Sequence, residues 1–165
     1  MKRLSPQEYR AAEKTPIVVV LDNLRSGHNI GSAFRTADAF RIEKIMLCGI
    51  SAPPPSAEIH KTALGAEDSV EWKYFEKTED AITELTEQGY TALAVEQTEN
   101  SLPLHAFAPE KTKKYALVFG NEVKGVGQKV LDMCEACIEI PQFGTKHSLN
   151  VSVSVGVALW HFFEL

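Results

Sequence analysis

Much that would commit a chain to a special class is missing here. Three cysteines, Cys48, Cys134 and Cys137, occur in 165 residues, an odd number at no framework spacing, so disulfide stapling is not expected and a reducing compartment is. No apolar run reaches the roughly 20 residues that span a bilayer. Met1 to Lys14 is charged and lacks the apolar core of a signal peptide, so a cytoplasmic protein without a membrane partner is expected. Cys134-x-x-Cys137 has no second pair, and His28, His60, His105, His147 and His161 have no ligand spacing, so no metal is expected. The two cysteines of the C-x-x-C are expected along one face of a helix. No Gly-x-Gly-x-x-Gly follows the first apolar run, and the loop Gly120 to Gly127 lacks the Gly-Lys-Ser/Thr ending of a phosphate loop, so ordinary nucleotide fingerprints are absent.

Excess positive charge is missing too. The net charge of −5 speaks against a surface that coats nucleic acid, and no DNA partner is expected. The charge is unevenly spread, however: residues 1–44 hold eight Lys or Arg against five acids, 58–110 three against twelve, and 111–149 six against four. The first and third blocks could supply a local phosphate-binding face. Ordinary surface charge explains the same counts.

What is present is an alternating pattern. Five short apolar runs, Ile17–Leu21, Lys44–Ile50, Thr91–Val95, Tyr115–Phe119 and Ala136–Ile140, read as buried strands. Between them, Asn29–Phe40 carries an apolar stripe at helical spacing, and Glu79–Gln88 stops at Gly89. Val151 to Phe162 fits both a strand and a helix period; the helix is chosen, with Ser148 or Asn150 as its cap. Three consecutive prolines, Pro53 to Pro55, make an extended connector and not a domain boundary. The prediction is an α/β fold, a mainly parallel sheet with helices on both faces, as one domain over 1–165 with a short N-terminal extension, 1–15.

Three segments carry chemistry. Leu21 to Arg35 runs from a strand through a Gly-containing loop into a helix. An isolated Asn29 there is most simply a helix cap, whereas the Arg35 guanidinium, beside the apolar stripe, has to reach water or an anion. Tyr115 to Gly127 is a strand emptying into a loop with Gly120, Gly125 and Gly127. Ile138 to Gly156 is a strand, then a polar turn with Thr145, Lys146, His147, Ser148 and Asn150, then a helix start. Taken alone, the last is also simply a well-capped helix.

In order and spacing, Asn29-Ile-Gly-x-x-x-Arg35, Phe119-Gly-x-Glu122-x-x-Gly125 and Ile140-Pro-x-x-Gly144-x-x-x-Ser148-Leu-Asn150-Val-Ser-x-x-x-Gly156 resemble the motifs of the SpoU/TrmH branch of the SPOUT RNA methyltransferases. The resemblance covers Ile17 to the C-terminus. It departs at Gln142, where many relatives carry Met, and in the lack of an appended RNA-binding domain. It implies an α/β fold closed by a C-terminal trefoil knot, a rare exception to unknotted topology. It further implies S-adenosylmethionine as methyl donor, bound by backbone groups at Val95, Glu96, Gly120, Ile140 and Leu149, and a ribose 2′-hydroxyl of RNA as acceptor. Asn29, Arg35, Glu122, Ser148 and Asn150 take the catalytic roles by carry-over. A homodimer follows as well, with Arg35 of one subunit facing the cofactor of the other. As a general base Arg35 is ill suited, since a guanidinium pKa of about 12.5 to 13.8 leaves no acceptor at neutral pH. Phosphate anchoring and charge stabilisation suit it better, while Glu122 orients an arginine or the loop.

A compact RNA presented by shape, tRNA in preference to rRNA, is the expected substrate. The alternative is a non-catalytic RNA-binding module that retains the knotted fold; calorimetric titration with S-adenosylmethionine separates the two. A nucleotide-dependent α/β enzyme using the Gly120–Gly127 loop is a weaker rival.

Overall fold

The computed structural model describes residues 4–163. In chain order the elements are α1 (Pro6–Ala11), β1 (Thr15–Asp22), α2 (Gly27–Ala39), β2 (Ile42–Cys48), α3 (Ala57–Ala63), α4 (Ala66–Ser69), β3 (Trp72–Phe75), α5 (Thr78–Glu87), β4 (Tyr90–Val95), β5 (Leu102–Pro103), β6 (Lys114–Phe119), α6 (Gln128–Met133), β7 (Ala136–Glu139) and α7 (Val151–Phe163). A single 3₁₀ turn, Leu104–Ala106, follows β5.

The seven strands form one sheet in the order β3-β2-β1-β6-β4-β7-β5, and every neighbouring pair is parallel. Because side chains alternate along a strand, β1 feeds two cores. Ile17, Val19 and Leu21 pack with Phe34 of α2, Ile59 of α3 and Leu159 and Phe162 of α7, whereas Val18 and Val20 pack with Ile82 and Leu85 of α5 and Val130 of α6. Burial on both sides explains why β1 reads as an unbroken apolar run. The α/β architecture with helices on both faces is the one expected.

Five strands were expected, and β3 and β5 are additions. β3 lies at the sheet edge with only part of its surface covered, and β5 is two residues long, so neither carries a buried apolar run. The second expected strand, Lys44–Ile50, runs two residues too far. β2 ends at Cys48 because Gly49 turns the chain at φ +63°, leaving Ile50 61% exposed. The cysteine pair is not on one helix face: Cys134 caps the end of α6 and Cys137 lies on β7.

Within the segment expected as an N-terminal extension, α1 starts with a capping box. Ser5 Oγ accepts from the Glu8 amide at 3.2 Å, and Glu8 Oε2 accepts from the Ser5 amide at 2.7 Å. Its Tyr9 is 5% exposed and joins the main core. No helix among the described residues is long and apolar enough to cross a membrane.

The chain reverses its direction of travel across the sheet between β1 and β6, and a cleft opens beyond the carboxyl ends of β4, β6 and β7. Ligand sites in parallel α/β sheets lie at such places.

Candidate active site

Three loops build the cleft. Val95 to Thr98 follow β4, Phe119 to Gln128 follow β6, and Glu139 to Val151 run from the end of β7 to the first turn of α7. It encloses about 740 Å³, within the roughly 300–1,000 Å³ usual for a cofactor site. Of the expected residues, Val95, Glu96, Gly120, Glu122, Ile140, Ser148, Leu149 and Asn150 all line it. Asn29 and Arg35 do not.

The β6 loop is folded on itself. Asn121 and Gly125 exchange backbone hydrogen bonds at 3.0 and 2.9 Å, and Asn121 Oδ1 accepts from the amides of Val123 and Lys124 at 2.9 and 3.0 Å. Gly125, at φ +69°, adopts a conformation that L side chains rarely take. At Gly120 a Cβ would sit 2.1 Å from Gly125 C and 2.2 Å from Val126 N, so only glycine allows the loop to close. Glu96 ties this loop to the neighbouring one: its Oε2 accepts from the Val126 amide at 3.0 Å and its Oε1 from the Gln97 amide at 3.0 Å. Sequence reading did not single out Asn121, whose only signal was its place directly after the glycine of the strand end.

Glu122 reaches a different element. Its Oε2 accepts from the Arg25 amide at 3.0 Å, and its Oε1 accepts from the Ser26 amide and from Asn29 Nδ2, each at 3.1 Å. Burial pushes the carboxyl up, but these bonds outweigh it and hold Glu122 below the usual carboxylate range. Within this chain its partners are the backbone of Arg25 and Ser26 and the Asn29 amide, so it fastens the β6 loop to the start of α2. The helix that follows is capped by Ser26, whose Oγ accepts from the Asn29 amide at 3.2 Å, and not by Asn29. With the cap supplied one turn earlier, the Asn29 side chain is left to point at the cleft residues.

Asn29 Oδ1 accepts from Asn150 Nδ2 at 3.2 Å. Asn150 also caps α7, its Oδ1 accepting from the Ser152 amide at 2.9 Å and from Ser152 Oγ at 2.6 Å. Of the two candidate caps for that helix, Ser148 and Asn150, the second acts. The first motif therefore enters the site through Asn29, which joins the β6 loop to the start of α7. Arg35 lies exposed six residues further along α2, in a groove against α3.

Beneath the cleft is a buried acid that sequence reading passed over. Asp22, 3% exposed at the end of β1, accepts from Thr78 Oγ1 at 2.5 Å, from Asn23 Nδ2 at 3.0 Å and from the Gly127 amide at 3.0 Å. It links the start of α5 to the far end of the β6 loop. Its signal was an acid directly after an apolar run. Burial pushes the Cys48 and Cys134 thiols up to about 12, which removes both as nucleophiles at neutral pH. Among the described residues no three His, Cys, Asp or Glu side chains gather as a metal site.

Comparison with known proteins supplies the family. The sequence profile of the SpoU rRNA Methylase family matches residues 16–160. A 23S rRNA (guanosine-2′-O-)-methyltransferase of Neisseria meningitidis is 31% identical over 144 residues, 87% of this chain and 56% of that protein. A tRNA (guanosine(18)-2′-O)-methyltransferase of Aquifex aeolicus is 29% identical over 163 residues, 97% of this chain and 74% of that protein. Among solved structures, the AdoMet-bound rRNA methyltransferase of Sinorhizobium meliloti superposes with a TM-score of 0.85 at 28% identity, covering 99% of this chain and 61% of that one. The chain spans 56% of the length of the first rRNA enzymes it matches.

Proposed function

Since the chain belongs to the SpoU rRNA Methylase family, we propose that it transfers a methyl group from S-adenosylmethionine to a ribose 2′-hydroxyl of RNA. The observation that carries this reading is the single cleft at the carboxyl ends of β4, β6 and β7, fastened to α2 through the Asn150–Asn29–Glu122 chain of hydrogen bonds. On this reading residues 1–165 act as one methyltransferase domain, and the three loops around the cleft are those of the knot.

The cleft suits an adenosine that carries a sulfonium. Val95, Phe119, Val126, Leu131, Ile140 and Leu149 give it apolar walls, and the backbone of the loops runs along them. Adenine stacks on such walls and pairs with backbone groups, so no charged fingerprint is needed. Bound there, the cofactor supplies a methyl already activated by the positive sulfur. The ribose oxygen forms the new C–O bond as the C–S bond breaks with its electron pair left on sulfur, and the hydroxyl proton leaves to solvent. Ser148 and Asn150 lie on the cleft wall where they can orient that hydroxyl, and Asn29 holds Asn150.

Arg35 acts from a second copy in this reading. It lies outside the cleft of its own chain, and α7 carries an exposed apolar strip, Val153, Val157 and Trp160, at 49, 39 and 54% exposure. Their spacing puts them on one helix face, and a two-fold contact through that face would hide it. The guanidinium then anchors phosphate and offsets charge at the partner's cleft, the role its basicity allows.

As substrate, tRNA is proposed over rRNA because the chain carries only a modest basic face, suited to a compact RNA recognised by shape. The relatives named above include an enzyme for each.

The test is direct. The protein is incubated with radiolabelled S-adenosylmethionine and undermethylated total RNA, and the products are digested to nucleosides. Label in a 2′-O-methyl nucleoside is expected, with Arg35→Ala slower than the parent. Absence of S-adenosylmethionine binding in calorimetry would point instead to a non-catalytic RNA-binding module.

A further inference from the structure

Beside the cleft residues, α2 and α3 are pressed together closely enough to leave a groove of about 500 Å³ along their exposed side, lined by Ser32, Arg35, Thr36, Lys61 and Thr62. The contact is set by Gly31. A Cβ there would lie 2.1 Å from Thr62 Oγ1 and 2.2 Å from the Ile59 carbonyl oxygen, so the two helices meet backbone to backbone. Thr62 Oγ1 also donates to the His28 carbonyl at 2.8 Å. α3 is thereby pinned to the first turns of α2, so that Lys61 of α3 lines the groove together with Arg35 of α2.

The groove's chemistry is one-sided. Two cations and three hydroxyls line it, and no carboxylate does. Lys61 is one of only three Lys or Arg in the acidic stretch 58–110. Lys73, in that stretch, pairs with Glu84, and Lys44 pairs with Glu71; Lys61 and Arg35 have no ion-pair partner among the described residues. Glu58 of α3 and Glu67 of α4 are directed elsewhere. Glu58 lies against Gly27, and Glu67 accepts from the Gly65 amide at 2.9 Å and meets His60 at 2.5 Å. Thr36 Oγ1 donates to the Ser32 carbonyl of its own helix and Thr62 Oγ1 to the His28 carbonyl of α2, whereas Ser32 Oγ donates to no acceptor among the described residues and is left for the groove.

We propose that this groove seats a backbone phosphate of the substrate RNA, and that Lys61 is a substrate-positioning residue gripping it together with Arg35. The inference rests on the methyltransferase reading above and adds a second cation to the one the motifs supply. Arg35 donates from a rigid planar fork, the Ser32 hydroxyl rotates to meet an acceptor, and the Lys61 ammonium adds a mobile point charge on the opposite wall. A phosphate held there positions the strand without reading its sequence.

The experiment compares the parent with Lys61→Gln and Lys61→Arg. Binding of undermethylated RNA is followed by fluorescence anisotropy across a range of salt, and methyl transfer by KM and kcat. Losing one phosphate contact lowers the slope of log affinity against log salt by about 0.7 to 0.9, which at 0.15 M salt is a loss of about four- to fivefold in affinity. Lys61→Gln is therefore expected to raise KM for RNA by that factor with kcat held. Lys61→Arg is expected to restore it, and cofactor affinity is expected to stay the same in all three. A Lys61→Gln protein that binds RNA with the parental affinity and salt slope overturns the inference and leaves the methyltransferase reading standing. A parent that takes up no S-adenosylmethionine sinks that reading instead.

Discussion

Asn150 Nδ2 donates to Asn29 Oδ1 at 3.2 Å, joining two amides 121 positions apart in the chain. Neither amide is free to turn over. Asn29 gives its Nδ2 hydrogen to Glu122, so its oxygen must accept; Asn150 accepts at its oxygen from Ser152, so its nitrogen must donate. The result is a directed chain from the first turn of α7 through α2 to a carboxylate on the β6 loop.

Asn29→Asp is expected to do more harm than Asn29→Ala. An alanine removes two hydrogen bonds at a half-buried position, roughly 1 to 2 kcal/mol. An aspartate leaves the shape nearly unchanged but puts a second carboxylate about 3 Å from Glu122 and loses the donor, so a further kcal/mol or so is lost. Urea unfolding at neutral pH orders the three proteins. Equal stability of the two variants would mean that Asn29 and Glu122 do not meet.

Glu122 gives a pH signature. Its carboxyl is held below the ordinary value of 4.5, so the charged form is favoured by folding. The stability this contributes is present above about pH 4.5 and is lost as pH falls through the lowered folded value. Partial exposure limits the effect to about 1 kcal/mol. Unfolding of the parent and of Glu122→Gln should differ at neutral pH and converge as pH falls through the lowered folded value. A difference that stays constant throughout the acid range would show that charge on Glu122 contributes nothing.

Thr78→Val removes the 2.5 Å hydrogen bond to Asp22 while keeping the side-chain volume. Asp22 is buried and keeps two other donors, Asn23 Nδ2 and the Gly127 amide. A charged group that loses one of three donors in the interior costs about 1.5 to 3 kcal/mol. Because Gly127 hangs on the same carboxylate, the β6 loop should loosen too. Amide exchange at Gly127 and Val126 should quicken in the variant by more than the change in global stability accounts for.

The parts of this molecule that are periodic were legible in its sequence. β1 and β6 lie in the middle of the sheet and are buried on both faces, so each shows as an unbroken apolar run. β3, Trp72-Lys-Tyr-Phe, is an edge strand whose half-exposed residues carry neither a run nor a clean alternation. Motif spacing located the cleft loops because each follows a strand end. It could not reveal what Glu122 holds, since two of its partners are backbone amides 96 and 97 residues away, and an amide has no identity in the sequence. Asp22 was hidden for the same reason: its meaning depends on Thr78 and Gly127, which only the folded chain brings to it.

The reach of Arg35 across a dimer can be decided by mixing two inactive proteins. Arg35→Ala keeps its cleft and loses the guanidinium. Gly120→Ala keeps the guanidinium and loses the cleft, since its Cβ would sit within 2.2 Å of backbone atoms of Gly125 and Val126 that cannot move without opening the loop. Leu149→Trp, which fills the cleft from an exposed wall position, serves the same end where Gly120→Ala fails to fold. After exchange of subunits at equal concentration, half the dimers are mixed in a two-fold assembly. If Arg35 serves its partner, each mixed dimer has one complete site, made of the intact cleft of one chain and the arginine of the other. Methyl transfer then returns to about a quarter of the parental rate. If Arg35 serves its own chain, every mixed dimer has one cleft without an arginine and one arginine without a cleft, and no activity returns.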